Sequence, residues 1–582
     1  MIELLPAYRD ESQEPGTART NSGRFTDLDP DKLRGGYYTS AALAQWLCAW
    51  AIRKADDLVL EPSCGDGSFL EAAAHRLGTL GAKGADRANH LYGVEILCDE
   101  AEKARARLAR EVGFRAADVV ETSDFFAWWK RADRPLFDVV VGNPPFIRYQ
   151  SFPEPHRSRA MEIMKEQGLS PNRLTNIWVP FVVAAAAALR PGGRMALVLP
   201  AELLQVSYAA QLRSFLTDRF GRIDLIACNE LFFENAEQEV LLLLADEARA
   251  TPSESNPCKV TLTESHSVAD ILGRTPAAVL EGASPKTICH DSEKWLKYFL
   301  SASEITFMRE LRASGAAVPL SIYASVNVGV VTGKNQFFVL RQSEIEARRL
   351  QGYTMPLVSR SAHLVGARIG KRDWKRLSDD DQLVHLLHLA PINGSKPKGA
   401  LESYIRLGED QKVHKGYKCS IREPWYAVPS VWIPDAFVFR QIYDFPRVVL
   451  NTADASSTDT IHRMRCKAGK SRAIVANTYT SLTAASAEIE GRSYGGGVLE
   501  LEPTEAERLL MPAKLGPALP LDECDRLVRD GRLGAVLDEN DRLILKETMG
   551  LSAAECRMLR RVWEKMRDRR LTRQRRVRAS AS

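Results

Sequence analysis

The chain has 582 residues, 45% of them hydrophobic and 26% charged. That is ordinary globular composition; it excludes global disorder, collagen and a coiled-coil rod, and the length suits two to four domains at roughly 150 residues each. A net charge of +5 is too weak by itself to name a nucleic-acid partner.

Ten cysteines are spread along the chain with no C-x-x-C pair. Neither a zinc ribbon nor a dithiol motif is suggested, no metal is expected, and a reduced cytoplasmic protein is the natural reading. The first residues lack the basic region and apolar core of a signal peptide. The longest apolar run, Ile177 to Leu189, falls short of the ~20 residues that span a bilayer, so no membrane contact is expected.

In chain order, residues 1–30 are polar and read as a flexible arm. From 31 to 250 short β-rich runs alternate with Ala/Leu/Arg-rich helical runs. Strands are predicted at Leu58–Leu60, Leu91–Val94, Asp138–Val141, Arg194–Leu199, Ile223–Ala227 and Val240–Leu244, with a weaker one at Ala116–Val120. Helices are predicted at Ala101–Val112 and Ile177–Leu189. Such alternation implies an α/β domain with a mostly parallel sheet. Residues 251–315 read as a connector, 316–515 as a mixed α+β domain, and 516–582 as a helical, basic C-terminal segment.

After the first strand comes Glu61-Pro-Ser-Cys-Gly-Asp-Gly-Ser-Phe69. Gly65 and Gly67 allow a sharp turn and close approach of a ligand, and a helix N-terminus with free N–H groups follows. A Gly-x-Gly alone also serves as an ordinary turn. The second strand ends in Glu95, an acid placed to accept from two ribose hydroxyls. The pattern departs from the dinucleotide Gly-x-Gly-x-x-Gly form, with Leu70 at the third position. Glu61 would repel a pyrophosphate but suits a cationic ligand such as S-adenosylmethionine.

The most specific signal is Asp138-Val-Val-Val-Gly-Asn-Pro-Pro-Phe146. Pro144 and Pro145 fix two φ angles and remove two donors. The Asn143 amide oxygen and the Pro144 carbonyl then become preset acceptors, which suit an NH₂ group. Phe146 sits where it could stack on a planar ring.

Together these segments, with Glu95 and Ser123-Asp-Phe125, resemble the motif series of the gamma-class (TaqI-like) adenine-N6 DNA methyltransferases. Gly35-Gly-Tyr-Tyr-Thr-Ser40 resembles that family's N-terminal cofactor motif. Only 18 residues separate Asp124 from Asn143, so target recognition must follow the catalytic domain, as in the gamma order. The resemblance implies a Rossmann-like, seven-stranded, mostly parallel sheet followed by a target-recognition domain.

It also implies roles. Tyr38 and Thr39 would border the methionine end of S-adenosylmethionine, and Glu61 its ammonium, with the backbone of Cys64, Gly65 and Gly67 alongside. Glu95 would hold the ribose, Asp124 the adenine amino group, and Phe125 the adenine ring. Asn143, Pro144, Pro145 and Phe146 would form the catalytic loop, with Phe146 stacking on the target base. In Asn229 to Leu243, which resembles the family's late motif, Phe233 would face the base from the other side, with Phe232 as competitor.

Beyond 315, base edges and phosphates need polar and basic groups. Candidates are Lys334 and Asn335, Arg360 and His363, Lys415 and Lys418, and Arg463. Arg557–Arg578 carries eleven Lys/Arg against two Asp/Glu and reads as a basic helix able to lie along phosphates. Without it the rest of the chain is slightly acidic.

The expectation is an adenine-specific, base-flipping DNA methyltransferase. Its context would be restriction–modification or phage defence, with double-stranded DNA as partner and a separate cognate endonuclease as a further candidate partner. It would be cytoplasmic and nucleoid-associated when bound to DNA. The alternatives are methylation of cytosine N4, RNA or a protein glutamine, or a non-catalytic DNA-binding subunit.

Overall fold

The structure is a computed structural model and describes residues 39–112, 119–228, 230, 232, 239–251, 256–287, 293–389, 396–467, 469–493 and 497–580. The expected arm, Tyr38 and Phe233 lie outside the described residues.

Helix α1 (Ala41–Ala51) starts at Ser40, whose hydroxyl accepts from Leu43 N, the usual cap for otherwise unpaired first-turn donors. The order is then β1 (Val59–Glu61), α2 (Ser68–Thr79), β2 (Leu91–Glu95), α3 (Cys98–Val112), β3 (Val120–Thr122), α4 (Phe125–Trp129) and β4 (Phe137–Gly142). It continues with α5 (His156–Glu166), α6 (Trp178–Ala187), β5 (Leu189–Pro200), α7 (Ala210–Arg219), β6 (Phe220–Cys228), β7 (Val240–Ala248) and β8 (Lys259–Ser265).

These strands form one sheet in the order β3-β2-β1-β4-β5-β7-β6-β8. All run parallel except β7, which is antiparallel to β5 and β6. The mostly parallel sheet is as expected, but it has eight strands, not seven. The added β8 comes from the stretch read as connector. It pairs in parallel with β6 from Arg222↔Lys259 to Cys228↔Ser265. Only the adjacent Val260 and Thr261 are buried, so its apolar signal is faint. Strand β3 also sits later than the predicted Ala116–Val120. Residues Arg190–Gly193 form a bulge within β5: Phe137 pairs with Leu189 and Val139 with Arg194.

Strand side chains alternate between two cores, as a period of two requires. Leu60, Val140, Leu197, Leu241 and Leu243 join the core under α4, α6 and α7. Val59, Val139, Val141, Val198 and Leu242 join the core under α1, α2 and α3. Helix α6 is apolar on every side and almost wholly buried, the pattern of a helix enclosed in a core. Trp129 Nε1 donates to its Ala184 carbonyl at 2.8 Å.

The chain leaves β1 toward β2 and β3, then returns to β4 on the other side of β1. That reversal opens a crevice at the carboxyl ends of the strands, where ligands of open α/β sheets bind.

The second half builds a five-stranded sheet in the order Ala324–Asn327, Ile461–Cys466, Ala436–Phe439, Val448–Thr452 and Arg368–Gly370. A four-stranded sheet includes Thr354–Val358 and His385–Leu387. The C-terminal helix, Ala553–Ser580, packs Leu559, Val562, Trp563 and Met566 into the core. Three of its described arginines are tied into the protein. Arg570 is 2% exposed, pairs with Glu488 at 2.6 Å and donates to the carbonyls of Tyr443 and Gly497. Arg569 reaches Glu239 and Glu264 of the first half, and Arg560 bridges Ser481, Asp538 and Asp541. Across the halves, Gln205 exchanges two hydrogen bonds with the Ser493 backbone, at 2.9 and 2.8 Å. Among the described residues no helix is long and apolar enough to cross a membrane.

Candidate active site

A cleft of about 440 Å³ lies at the carboxyl ends of β1 to β4. Its lining includes Thr39, Glu61, Cys64, Gly65, Glu95, Asp124, Phe125, Asn143 and Pro145. Four adjacent strands therefore deliver one polar side chain each: Glu61 from the end of β1, Glu95 from β2, Asp124 after β3 and Asn143 after β4. The strands run parallel, so all four ends open on one edge of the sheet.

The glycine turn is held by its own acid. Glu95 accepts from Gly65 N through Oε2 and from Leu97 N through Oε1, both at 2.9 Å. Gly67 does not line the cleft. It has φ +84°, and a Cβ there would stand 3.0 Å from Ala104. Its role is to let α2 begin against α3, a conformation and a closeness that favour glycine. Arg107 of α3 braces the turn by pairing with Asp66 and with Glu71.

Glu61 is 2% exposed. Burial pushes its carboxyl well above the ordinary carboxylate value, nearby Asp66 and Glu95 push it further up, and a backbone hydrogen bond from Leu70 opposes them. Its Oε2 is buried with no hydrogen-bond partner, an arrangement that costs free energy until a donor or cation arrives. Burial also raises the Glu95 carboxyl, against the backbone hydrogen bonds from Leu97, Gly65 and Ile96. The Cys64 thiol is pushed well up by burial and by Glu61 and Glu95, so it lines the cleft as a neutral group.

Asp124 caps α4, accepting from Phe126 N at 3.2 Å. Its second oxygen lies 3.0 Å from Arg159 Nη1 and 3.0 Å from His156 Nδ1. Phe125 stacks on Phe181, with centroids 5.3 Å apart and planes 13° apart. It meets the cleft from within this aromatic cluster, being 3% exposed.

Gly142 has φ +152°, and this turns the chain out of β4 into Asn143. Asn143 Nδ2 lies 3.4 Å from Thr39 Oγ1 as donor, which orients the amide plane. Pro144 is buried, while Pro145 and Ile147 line the cleft. Phe146 is half-buried against both cores and lies outside that lining. Phe232 is half-buried against the core under α1 to α3.

The motif residues did not foretell the wall made by Phe152, Pro153, His156 and Phe181. The signal available was proximity, because Phe152 to His156 follow the Asn-Pro-Pro-Phe loop directly.

In the second half, two separately predicted stretches meet. A Cβ on Gly333 would stand 2.9 Å from Lys418 Cβ, and Arg422 donates to the Val331 and Thr332 carbonyls, both at 2.8 Å. Lys334, Asn335, Lys415 and Lys418 are exposed around this junction, beside Tyr417 and Ile421, which are 72% and 65% exposed. Arg360 is exposed and His363 half-buried elsewhere, with burial and Arg360 lowering the His363 ring's proton affinity. Arg463 is internal, contrary to its expected DNA-facing place. It is 3% exposed, donates to the Val328 and Ser430 carbonyls, and lies over Trp432. A missed basic face is the helix Lys371–Asp379, where Arg372 and Arg376 are exposed one turn apart beside an open groove.

Residues 89–232 match the family described as Eco57I restriction-modification methylase, and residues 292–545 match that described as type II methyltransferase M.Eco57I, C-terminal domain. The chain is 22% identical over 501 residues to type II methyltransferase M.AccI of Acinetobacter calcoaceticus, covering 83% of this chain and 86% of that protein. It is 21% identical over 491 residues to type II methyltransferase M.XamI of Xanthomonas campestris pv. amaranthicola, covering 82% and 85%. A solved structure of the type IIL restriction-modification enzyme MmeI in complex with DNA aligns at TM-score 0.47 and 13% identity, over 90% of this chain and 71% of that one.

Proposed function

We propose, for a chain that groups with the Eco57I-like type II DNA methyltransferases, that it methylates N6 of an adenine flipped out of double-stranded DNA. S-adenosylmethionine would be the donor, and the setting a restriction–modification system with a separate cognate endonuclease. The observation that carries this reading is the convergence of Glu61, Glu95, Asp124 and Asn143 on one cleft.

The donor set fits a cation. Glu61 Oε2 is buried without a partner, in a cleft whose wall carries Glu61, Asp66, Glu95, Glu100 and Asp124. A ligand bearing an ammonium and a sulfonium meets that field favourably. When bound, S-adenosylmethionine would supply an electrophilic methyl carbon. Glu61 would take its ammonium, Thr39 and Tyr38 would border the methionine end, Glu95 would accept from the ribose, and Asp124 from the adenine amino group.

The target amine is inside a base pair until the base leaves the stack. Asn143 Oδ1 and the Pro144 carbonyl would accept its two hydrogens and favour a more tetrahedral nitrogen. Phe146 and Phe233 would hold the base plane. Catalysis is then positioning and electrostatics; no base need act before transfer, since the proton can leave afterwards. The junction of Lys334, Asn335, Lys415 and Lys418, with exposed Tyr417 beside it, is offered as a DNA-contacting surface, lysines toward phosphates.

The test is incubation with isotopically labelled S-adenosylmethionine and duplex DNA, RNA or protein, followed by nucleoside analysis. Label in N6-methyladenine from DNA is expected. Label in N4-methylcytosine, in RNA or in protein overturns the assignment.

A further inference from the structure

Asp124 sits where the proposed cofactor's adenine would lie, yet neither of its carboxylate oxygens is left to orient itself. One accepts from Phe126 N as the cap of α4. The other is met by Arg159 Nη1 and faced by His156 Nδ1, both at 3.0 Å, and both residues belong to α5. Phe126 N and Arg159 Nη1 thus hold one oxygen each, while the Asp124 side chain also lines the cleft. His156 itself lines the cleft with Phe152 and Pro153. Phe152 packs edge-on against Phe126, which fixes the approach of this segment to α4. The Asp124 side chain is 8% exposed and that of Arg159 38%, so the acid is enclosed while its clamp remains at the surface.

We infer that Arg159 and His156 are positioning residues. They fix the Asp124 carboxylate so that it selects a cofactor base carrying an exocyclic amine. The inference rests on the proposed cofactor reading and adds to it residues that neither touch the reacting atoms nor belong to the expected motifs. Its specific consequence is selectivity. A misaligned Asp124 should lose the amine contact and leave the contacts of Glu61 and Glu95 intact.

The experiment measures, by calorimetry on the full chain, the affinity for S-adenosylhomocysteine and for its analogue whose purine lacks the 6-amino group. In Arg159→Ala, S-adenosylhomocysteine should weaken about tenfold and the deaminated analogue by less than about twofold, the size of one lost charge-assisted hydrogen bond. KM for S-adenosylmethionine should rise while kcat at saturation holds, and Arg159→Lys should recover much of the discrimination. His156→Ala should act in the same direction but more weakly, since its ring stands against the acid without a hydrogen bond to it. Equal weakening of both ligands, or none of either, overturns the inference while leaving the cofactor reading standing. A wild-type protein that binds neither ligand overturns both.

Discussion

The two halves of the chain use charge in opposite ways. In the first half, carboxylates gather on one cleft; Asp66 and Asp124 are paired with Arg107 and Arg159, but Glu61 keeps a buried oxygen without a donor. In the second half, certain arginines turn inward and hold backbone carbonyls: Arg463 those of Val328 and Ser430, Arg447 that of Gly366, Arg570 that of Tyr443. An unmet charge marks a place prepared for a ligand, whereas a fully met one marks a joint of the fold. A count of basic residues cannot tell these apart, which is why the +5 of the chain and its basic ending say so little about DNA.

Four changes would break or sharpen this contrast. The largest effect is expected from Asn143→Ala, which removes an acceptor from the reacting amine. Its kcat should fall by roughly 10²–10³-fold, the range for loss of one preorganised electrostatic partner, with cofactor affinity near normal. Lost cofactor binding with intact transfer would assign the loop to the wrong ligand. Next is Arg570→Met, which leaves Glu488 buried without its cation. Denaturant unfolding should show a loss of about 3 kcal/mol, as for other broken buried pairs. An unchanged midpoint with weaker DNA binding would return the C-terminal helix to the phosphates.

Glu61→Gln is the third. Its carboxyl is raised by burial in the ligand-free protein, so folding holds its proton to higher pH than the unfolded chain does. The group therefore destabilises the ligand-free protein increasingly as pH rises above the ordinary carboxylate range, until the raised folded value is passed. Gln should lift the ligand-free melting temperature by about 2 °C or more at neutral pH. A cationic cofactor favours the ionised acid, so wild-type affinity should rise with pH through the same window and then level off. Gln should flatten that rise, as titration calorimetry across pH would reveal. A slope that survives in Glu61→Gln would place the titrating group elsewhere.

The smallest effect belongs to the exposed lysines. Lys334→Ala and Lys418→Ala should each reduce the slope of log affinity for DNA against log salt by about 1, leaving cofactor affinity unchanged. Arg463→Lys should alter stability and not that slope. The reverse pattern would exchange the roles of surface and interior.

How far the sequence reveals this follows the same division. Glu61, Glu95 and Asn143 were legible because each stands at or just past the end of a largely apolar strand, whereas Asp124 follows the polar Glu121-Thr122-Ser123 and was found only through the motif resemblance. The parallel sheet was legible from strand–helix alternation. Strand β8 was not, because an edge strand burying only Val260 and Thr261 looks like polar linker. Arg159 and His156 were not, because their meaning lies in where α5 folds back, onto an acid more than thirty residues earlier. Arg463 and Arg570 look in sequence like any phosphate ligand; only burial and a set of facing carbonyls distinguish them.

The most direct test of the central claim is expression of the wild-type chain in a host free of DNA methylation, followed by sequencing of the host DNA for modified bases. The account predicts N6-methyladenine at one fixed recognition sequence. Unmodified DNA from a protein that binds S-adenosylmethionine would contradict it.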